Sequence, residues 1–564
     1  MSIHVEHDSH PQSAPIRVES GLLSGIQLAE GRVFLGIPYA KPPVGDLRWK
    51  APQRPLAWDG VRPANKFGPS SLQFPLPPTS IYYGGESDYS EDCLYLNVYT
   101  GAEPSSGTPV LVWLHFGAFV FGSAANPMYD GTRLAAQGIT VVTVNYRLGR
   151  FGFLAHSDLS AESELAGGDA VRASGNYGIM DQIAALEWVQ RNISAFGGDP
   201  ARVTVGGASA GGASVHILRA SPLAKGLFCR AICESGPGLT PVIDGPGHLA
   251  GYTTLAAAEE AGAELLDALG VSSIEQLRRL PAAQILAAHL PRAQGPWKSR
   301  SRPGSVSLSI FDTANPIVDG RVLPESPLAA LASGAAADVP LLCGNVADEA
   351  TGLPHLDSLA EYRAFVGDML TAAVATDDGH DHDDGTLSLY PAADDNDVQA
   401  ATLRLLADQV FVWPTWAAAR LSSRRKTSSS SSPVWYYQIR RAPPVPATAT
   451  EASYAGVFHC AGVPYALGTF DSWRPGWAWT DEDRRLSREL MGAVARFVTT
   501  GAPGDGSVGY WPPLEAGSSG SDGGGGGPIV VFGEDGSPAV QGLNTGAAEA
   551  MTFWDRFYGL RELL

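Results

Sequence analysis

The sequence predicts an α/β fold, a large, mostly parallel central sheet covered by helices on both faces. Three observations carry this. Short apolar, β-branched runs alternate with stretches of helical periodicity along the chain. One such run, Arg202-Val203-Thr204-Val205, continues through Gly206-Gly207-Ala208-Ser209-Ala210-Gly211-Gly212 straight into a helical pattern. Finally, 44% hydrophobic and 17% charged residues among 564 allow a large core and exclude global disorder.

In chain order, residues 16–60 read as an extended, Pro-rich opening. Pro109–His115 is an apolar run fit for a buried parallel strand, and Thr140–Arg147 is a second. Gly175-Asn176-Tyr177-Gly178 caps a helical pattern through Asp181, Ala184, Leu186 and Trp188, which ends near Phe196–Pro200. The strand leading to Ser209 follows at once. Phe228–Glu234 and Val339–Cys343 read as further core strands, each ending in a loop where α/β folds place chemistry. Leu255–Leu269, Arg484–Thr499 and Ala547–Leu560 read as outer helices.

Gly207, Ser209 and Gly211 form a G-x-S-x-G pattern at a strand-to-helix turn. Such a turn holds the serine in a strained conformation, and only small neighbours let the helix pack back on its strand. The hydroxyl is lifted above the sheet edge, beside the first N–H groups of the helix. A serine hydroxyl is a poor nucleophile at neutral pH, so it needs a base oriented by an acid.

A formal net charge of −19 argues against nucleic acid or anionic membrane as a partner. No run of about 18 apolar residues suggests a membrane span. Met1–Pro15 is polar and His-rich, lacks the apolar core of a secretory signal, and reads as a flexible tail. Leu560–Leu564 matches no retention or peroxisomal signal. The five scattered cysteines (Cys93, Cys229, Cys233, Cys343, Cys460) offer no zinc spacing, and reduced thiols in a cytoplasmic protein are the simplest reading. Low-complexity loops are expected near 377–384, 422–433 and 517–527. The acidic, His-containing run Asp377–Asp384 reads as a solvated loop rather than a metal site, so neither metal nor cofactor is expected. Residues 16–564 are read as one domain.

Several segments together resemble the type-B carboxylesterase/lipase family, the cholinesterase-like branch of the α/β-hydrolases. They are Gly36-Ile37-Pro38-Tyr39-Ala40 with Pro42–Trp49, Glu91-Asp92-Cys93-Leu94-Tyr95-Leu96-Asn97-Val98, and the loop His115-Phe116-Gly117-Ala118-Phe119. The resemblance runs from about Val18 to about Tyr558. It implies the α/β-hydrolase fold and a triad in the order Ser, acid, His. Val346-Ala347-Asp348-Glu349-Ala350 aligns with the family's acid loop and places the acid at Glu349, with Asp348 as the neighbouring alternative. Gly456-Val457-Phe458-His459, preceding Val463-Pro464-Tyr465, places the base at His459, while His216 reads as a packing residue. The same alignment gives the backbones of Gly117, Ala118 and Ala210 as the oxyanion hole and Ser235 as a support for the acid.

Four departures from the family pattern bear on the pocket. Ala208 stands where cholinesterases carry glutamate. Tyr82-Tyr83 stand where their choline-stacking tryptophan lies. Phe116 replaces the first glycine of the oxyanion loop and is expected to add an apolar wall. Cys460 and Gly462 replace residues around the histidine, including a glutamate. The family's disulfide partner for Cys93 is also missing, with Ser71 at that position, which agrees with a reducing compartment. The expected activity is hydrolysis of neutral, fairly apolar carboxylic esters through an acyl-enzyme, with a small-molecule ester as the partner. A biosynthetic lactonase or acyltransferase on the same triad is the alternative. A catalytically inactive interaction protein is disfavoured because all three triad residues are present.

Overall fold

The computed structural model describes residues 11–103, 105–167, 172–242, 251–288, 315–351, 353, 356–373, 383–424, 431–504, 511–514 and 527–560. Its central sheet has eleven strands. We number them β1 (Ile26–Leu28), β2 (Gly31–Pro38), β3 (Tyr95–Thr100), β4 (Thr108–Leu114), β5 (Thr140–Val144), β6 (Gly198–Ala208), β7 (Arg230–Glu234), β8 (Leu341–Val346), β9 (Val434–Ile439), β10 (Ile529–Phe532) and β11 (Pro538–Gln541). Their spatial order is β11-β10-β9-β8-β7-β6-β4-β5-β3-β2-β1. From β10 to β5 every neighbouring pair is parallel; β3, β2 and β1 at one edge and β11 at the other pair antiparallel.

The central strands are apolar at consecutive positions because both faces of the sheet are covered. Val110, Val112 and Leu114 of β4 point into one core with Ile179, Leu186 and Val189 of the helix Tyr177–Asn192 and Val215 of the helix Ala210–Ala220. Leu111 and Trp113 point into the other, with Leu486, Leu490 and Phe497 of the helix Asp481–Thr500. That last helix starts three residues before the sequence suggested. Thr480 caps it, accepting from the Asp483 amide, while the Asp483 carboxylate accepts in return from Thr480 N–H.

Strand β8 runs on to Val346 because each residue from Leu341 is paired with β9, a strand not anticipated from the sequence. Of the expected tail over 1–15, residues 1–10 lie outside the described residues and the rest belongs to the fold. Gln12 bridges to Ile26, and Ser13 exchanges hydrogen bonds with Gly25 and Ser24, which fixes this stretch to the sheet edge. Of the expected low-complexity loops, 377–382, 425–430 and 517–526 lie outside the described residues, whereas Asp383 and Asp384 open a helix, Asp383–Leu389. Among the described residues no group of three His, Cys, Asp or Glu side chains could hold a metal ion, and no helix is long and apolar enough to cross a membrane.

Candidate active site

Ser209 sits at the C-terminal end of β6, immediately before the helix Ala210–Ala220, with φ 55° and ψ −119°. A non-glycine residue in this region is strained and persists only where packing over-determines it. The flanking glycines show that packing directly. A Cβ at Gly211 would lie 2.1 Å from the Leu114 carbonyl oxygen, and one at Gly207 would lie 2.6 Å from the Gly211 carbonyl carbon. The helix therefore begins pressed against β4 and β6, and the Ser209 amide is fixed by a 3.0 Å hydrogen bond to the Glu234 carbonyl.

The acid and base come from later loops. Glu349 follows β8 and is fully buried. Its Oε1 accepts from Ser235 Oγ (2.5 Å), Asn345 Nδ2 (2.8 Å) and the Val346 amide (2.9 Å). Its Oε2 faces His459 Nδ1 at 2.6 Å. These donors hold the carboxylate in a single orientation and leave one oxygen for the imidazole. Asp348 is engaged elsewhere. Its Oδ2 accepts from the Val457 amide at 2.8 Å, clipping the acid loop to the histidine loop.

The ring of His459 lies tilted at 35° over Phe411, centroids 4.0 Å apart, and its buried Nε2 has no hydrogen-bond partner among the described residues. Ser209 and His459 are thus not hydrogen-bonded to each other here, a contact that in hydrolases often tightens only with substrate. His216 lies in the helix behind the serine, with Nε2 3.3 Å from Cys233 Sγ. Burial pushes its pKa down to about 3, with Arg219 adding to the effect, so it is a neutral packing residue.

The loop after β4 carries three consecutive residues at positive φ, Gly117 (121°), Ala118 (52°) and Phe119 (62°). A Cβ at Gly117 would meet the Phe121 carbonyl oxygen at 1.9 Å, so that site admits glycine alone. The Gly117 carbonyl accepts from the amides of Val120 and Phe121, closing a tight turn. Ala210, first residue of its helix, has an N–H with no intrahelical acceptor. The first turn of that helix lies against the start of the loop, since a Cβ at Gly211 would also come within 3.1 Å of the His115 carbonyl oxygen.

The departures at Phe116 and Tyr82 look different in three dimensions. Phe116 is only 2% exposed and forms no open wall; its ring packs against Tyr82, Phe121 and Tyr129. Its N–H donates to Tyr129 Oη at 3.3 Å. Tyr82 is likewise engaged, donating from Oη to the His459 carbonyl at 3.2 Å. Tyr83 offers its carbonyl to Arg474. Ala208 is fully buried, so no charge lies beside the serine at that position. Cys460, beside the base, is also buried. Burial, reinforced by the carboxyls of Glu234 and Glu349, pushes its thiol well above the ordinary range, which disfavours the thiolate.

Sequence reasoning missed Asn345, Phe411 and Glu234. Asn345 ties the acid to its surroundings, accepting from Tyr436 Oη while donating to Glu349. A polar residue ending an otherwise apolar strand was its only signal. Phe411 comes from a π-helical turn, Asp408–Val412, a local widening that leaves no sequence mark. Glu234 ends β7 with its carboxyl buried. Oε2 accepts from Tyr437 Oη at 3.1 Å, while Oε1 has no hydrogen-bond partner among the described residues and fills the space beside Gly462.

A strained serine between a parallel strand and its helix, with a buried carboxylate–imidazole pair from later loops, defines a serine hydrolase on the α/β-hydrolase fold. The chain belongs to the carboxylesterase family, whose model matches residues 12–521, and is a carboxylic ester hydrolase. It is similar to para-nitrobenzyl esterase of Bacillus subtilis (strain 168), 37% identical over 85% of this chain and 88% of that protein. Fumonisin B1 esterase of Sphingopyxis macrogoltabida is 36% identical over 88% of this chain and 84% of that one. A solved PNB esterase structure superposes with a TM-score of 0.76 at 32% identity, covering 95% of this chain and 99% of that chain.

Proposed function

We propose that Ser209 is the nucleophile, His459 the base and Glu349 the orienting acid of a carboxylesterase acting on neutral, fairly apolar esters. The observation that carries this is the 2.6 Å pairing of His459 Nδ1 with Glu349, which leaves Nε2 as the free nitrogen of the ring. Nε2 takes the Ser209 proton as Oγ attacks the ester carbonyl carbon. The developing oxyanion is received by the amides of Gly117, Ala118 and Ala210, backbone donors of the kind that stabilise such charge in a water-excluded site. The imidazolium, stabilised by Glu349, returns its proton to the leaving alcohol, and an acyl-serine remains. Water then repeats the sequence, releasing the acid. Ser235 acts through Glu349, whose Oε1 it holds at 2.5 Å.

Preference for neutral esters is supported by Ala208, which supplies no carboxylate to attract a cationic alcohol group, and by Tyr82, whose ring is committed to protein contacts. The para-nitrobenzyl group named for one relative is an uncharged aromatic alcohol. A cytoplasmic setting is supported by five free cysteines and by Ser71 standing where the family's partner for Cys93 would lie. The experiment is a panel of p-nitrophenyl esters of increasing chain length, with and without a serine-directed organophosphate. Hydrolysis lost in step with phosphorylation of Ser209 is expected; hydrolysis that survives full labelling refutes the assignment.

A further inference from the structure

The turn Ser80–Tyr83 is held with more buried charge than a surface turn needs. Glu451, 2% exposed, accepts from Ser80 Oγ at 2.8 Å and from the Ile81 amide at 2.9 Å. Arg474 Nη2 donates to three carbonyls of the same turn, those of Ser80 (3.3 Å), Ile81 (3.0 Å) and Tyr83 (2.7 Å). An anion thus takes the turn's donors and a cation its acceptors, and the backbone is fixed from both sides.

That fixed turn presents one side chain, Tyr82, to two other segments. Its hydroxyl donates to the His459 carbonyl, and its ring meets Phe458 edge-on at 6.1 Å and 90°. The same ring meets Phe116, the first residue after the oxyanion-loop histidine, at 5.7 Å and 74°. The catalytic histidine is therefore held by its amide to Thr351, by its ring nitrogen to Glu349, by its ring face to Phe411, and by its carbonyl to Tyr82. Among these partners, Tyr82 also touches the oxyanion loop, at Phe116.

We propose that Tyr82 is a positioning residue that sets the spacing between His459 and the oxyanion loop, with Phe116 as its apolar counterpart on that loop. Two departures from the family pattern, a phenylalanine for a glycine and a tyrosine for a tryptophan, become the two halves of one contact. Base and oxyanion donors must move together around one reacting carbon, and a misplacement of about 1 Å can cost on the order of 10²-fold in rate. The hydroxyl fixes the histidine backbone; the ring transmits that position to the loop carrying Gly117 and Ala118.

This inference rests on His459 being the base. The test measures kcat, KM and Tm for Tyr82→Phe, Tyr82→Ala, Phe116→Ala and the double alanine variant with p-nitrophenyl butyrate, alongside Ser209→Ala and His459→Ala. Loss of one hydrogen bond in Tyr82→Phe is expected to lower kcat about 3- to 10-fold with KM within about twofold. Each alanine variant should lose about 10- to 100-fold in kcat, and the double variant little more than the worse single one, because one contact is removed only once. Parental kcat in Tyr82→Phe, a change confined to KM, or losses that multiply in the double variant would each overturn it. Should Tyr82→Ala fail to fold, Tyr82→Phe and Phe116→Ala still decide the question. An active Ser209→Ala or His459→Ala would instead defeat the triad assignment itself.

Discussion

Ser209, His459 and Glu349 act together in one proton transfer, so their losses should not add. Ser209→Ala, His459→Ala and Glu349→Gln are each expected to lower kcat by several orders of magnitude with folding retained, and pairs of them little further. Asp348→Asn should do far less, because Asp348 reaches only the backbone of the histidine loop. Turnover numbers for the four variants check the ranking, and a reversal between positions 348 and 349 would move the acid by one residue. Glu234 yields an expectation about stability rather than rate. Burial, against the opposing Tyr437 hydrogen bond and reinforced by Glu349, pushes its pKa from 4.5 up to about 8. The folded chain therefore keeps this proton while the unfolded chain loses it, and folding stability falls as pH rises from about 4.5 to about 8. Glu234→Gln removes that dependence. Its Tm relative to the parent should climb across this window and level off above it, as thermal melts at several pH values would show.

The turns and strand ends make demands of their own. The first turn of the helix Ala210–Ala220 lies against β4 so closely that Gly211→Ala would drive a methyl into the Leu114 carbonyl. Overpacking of this kind typically costs about 1–3 kcal/mol. The expected result is a lower denaturation midpoint together with a large loss of turnover, since the displaced helix carries both Ser209 and the Ala210 amide. Ser71 and Cys93 border the same small cavity. Ser71→Cys is expected to cross-link with Cys93 under oxidising conditions, closing a short loop worth on the order of 3 kcal/mol. A linked peptide pair by mass spectrometry and a redox-dependent Tm would establish it. Absence of the link would show that the two positions have diverged beyond disulfide geometry.

The chain as a whole carries a charge of −19 with none of it beside the serine at position 208. Long-range attraction of a cationic ester by that charge is screened within about 10 Å of salt solution, so discrimination must come from the pocket. Losing a buried carboxylate and a tryptophan face removes roughly 1–2 kcal/mol each for a quaternary ammonium. Neutral butyrate esters are therefore expected to exceed butyrylcholine in kcat/KM by about 10- to 1000-fold, each step of about 1.36 kcal/mol being one decade. Equal values would mean that a cation site is built from other residues.

Much of this protein is legible without coordinates, for reasons that are local. The largely apolar runs in 109–115 and 140–147 fit strands covered on both faces, and the glycines around Ser209 announce a tight turn. The loops carrying Glu349 and His459 were legible only by resemblance, because a lone glutamate or histidine has no periodicity to read. What tertiary structure alone decided is which side chains meet across segments distant in sequence. Tyr82, one of the two tyrosines that stand where the choline-stacking tryptophan of cholinesterases lies, is spent on His459, 377 residues away, and on Phe116. Phe411 reaches the imidazole through a π-helical turn, and Glu234 fills the space that Gly462 leaves. Strand and turn propensities act between near neighbours, whereas these contacts depend on how eleven strands order themselves in one sheet.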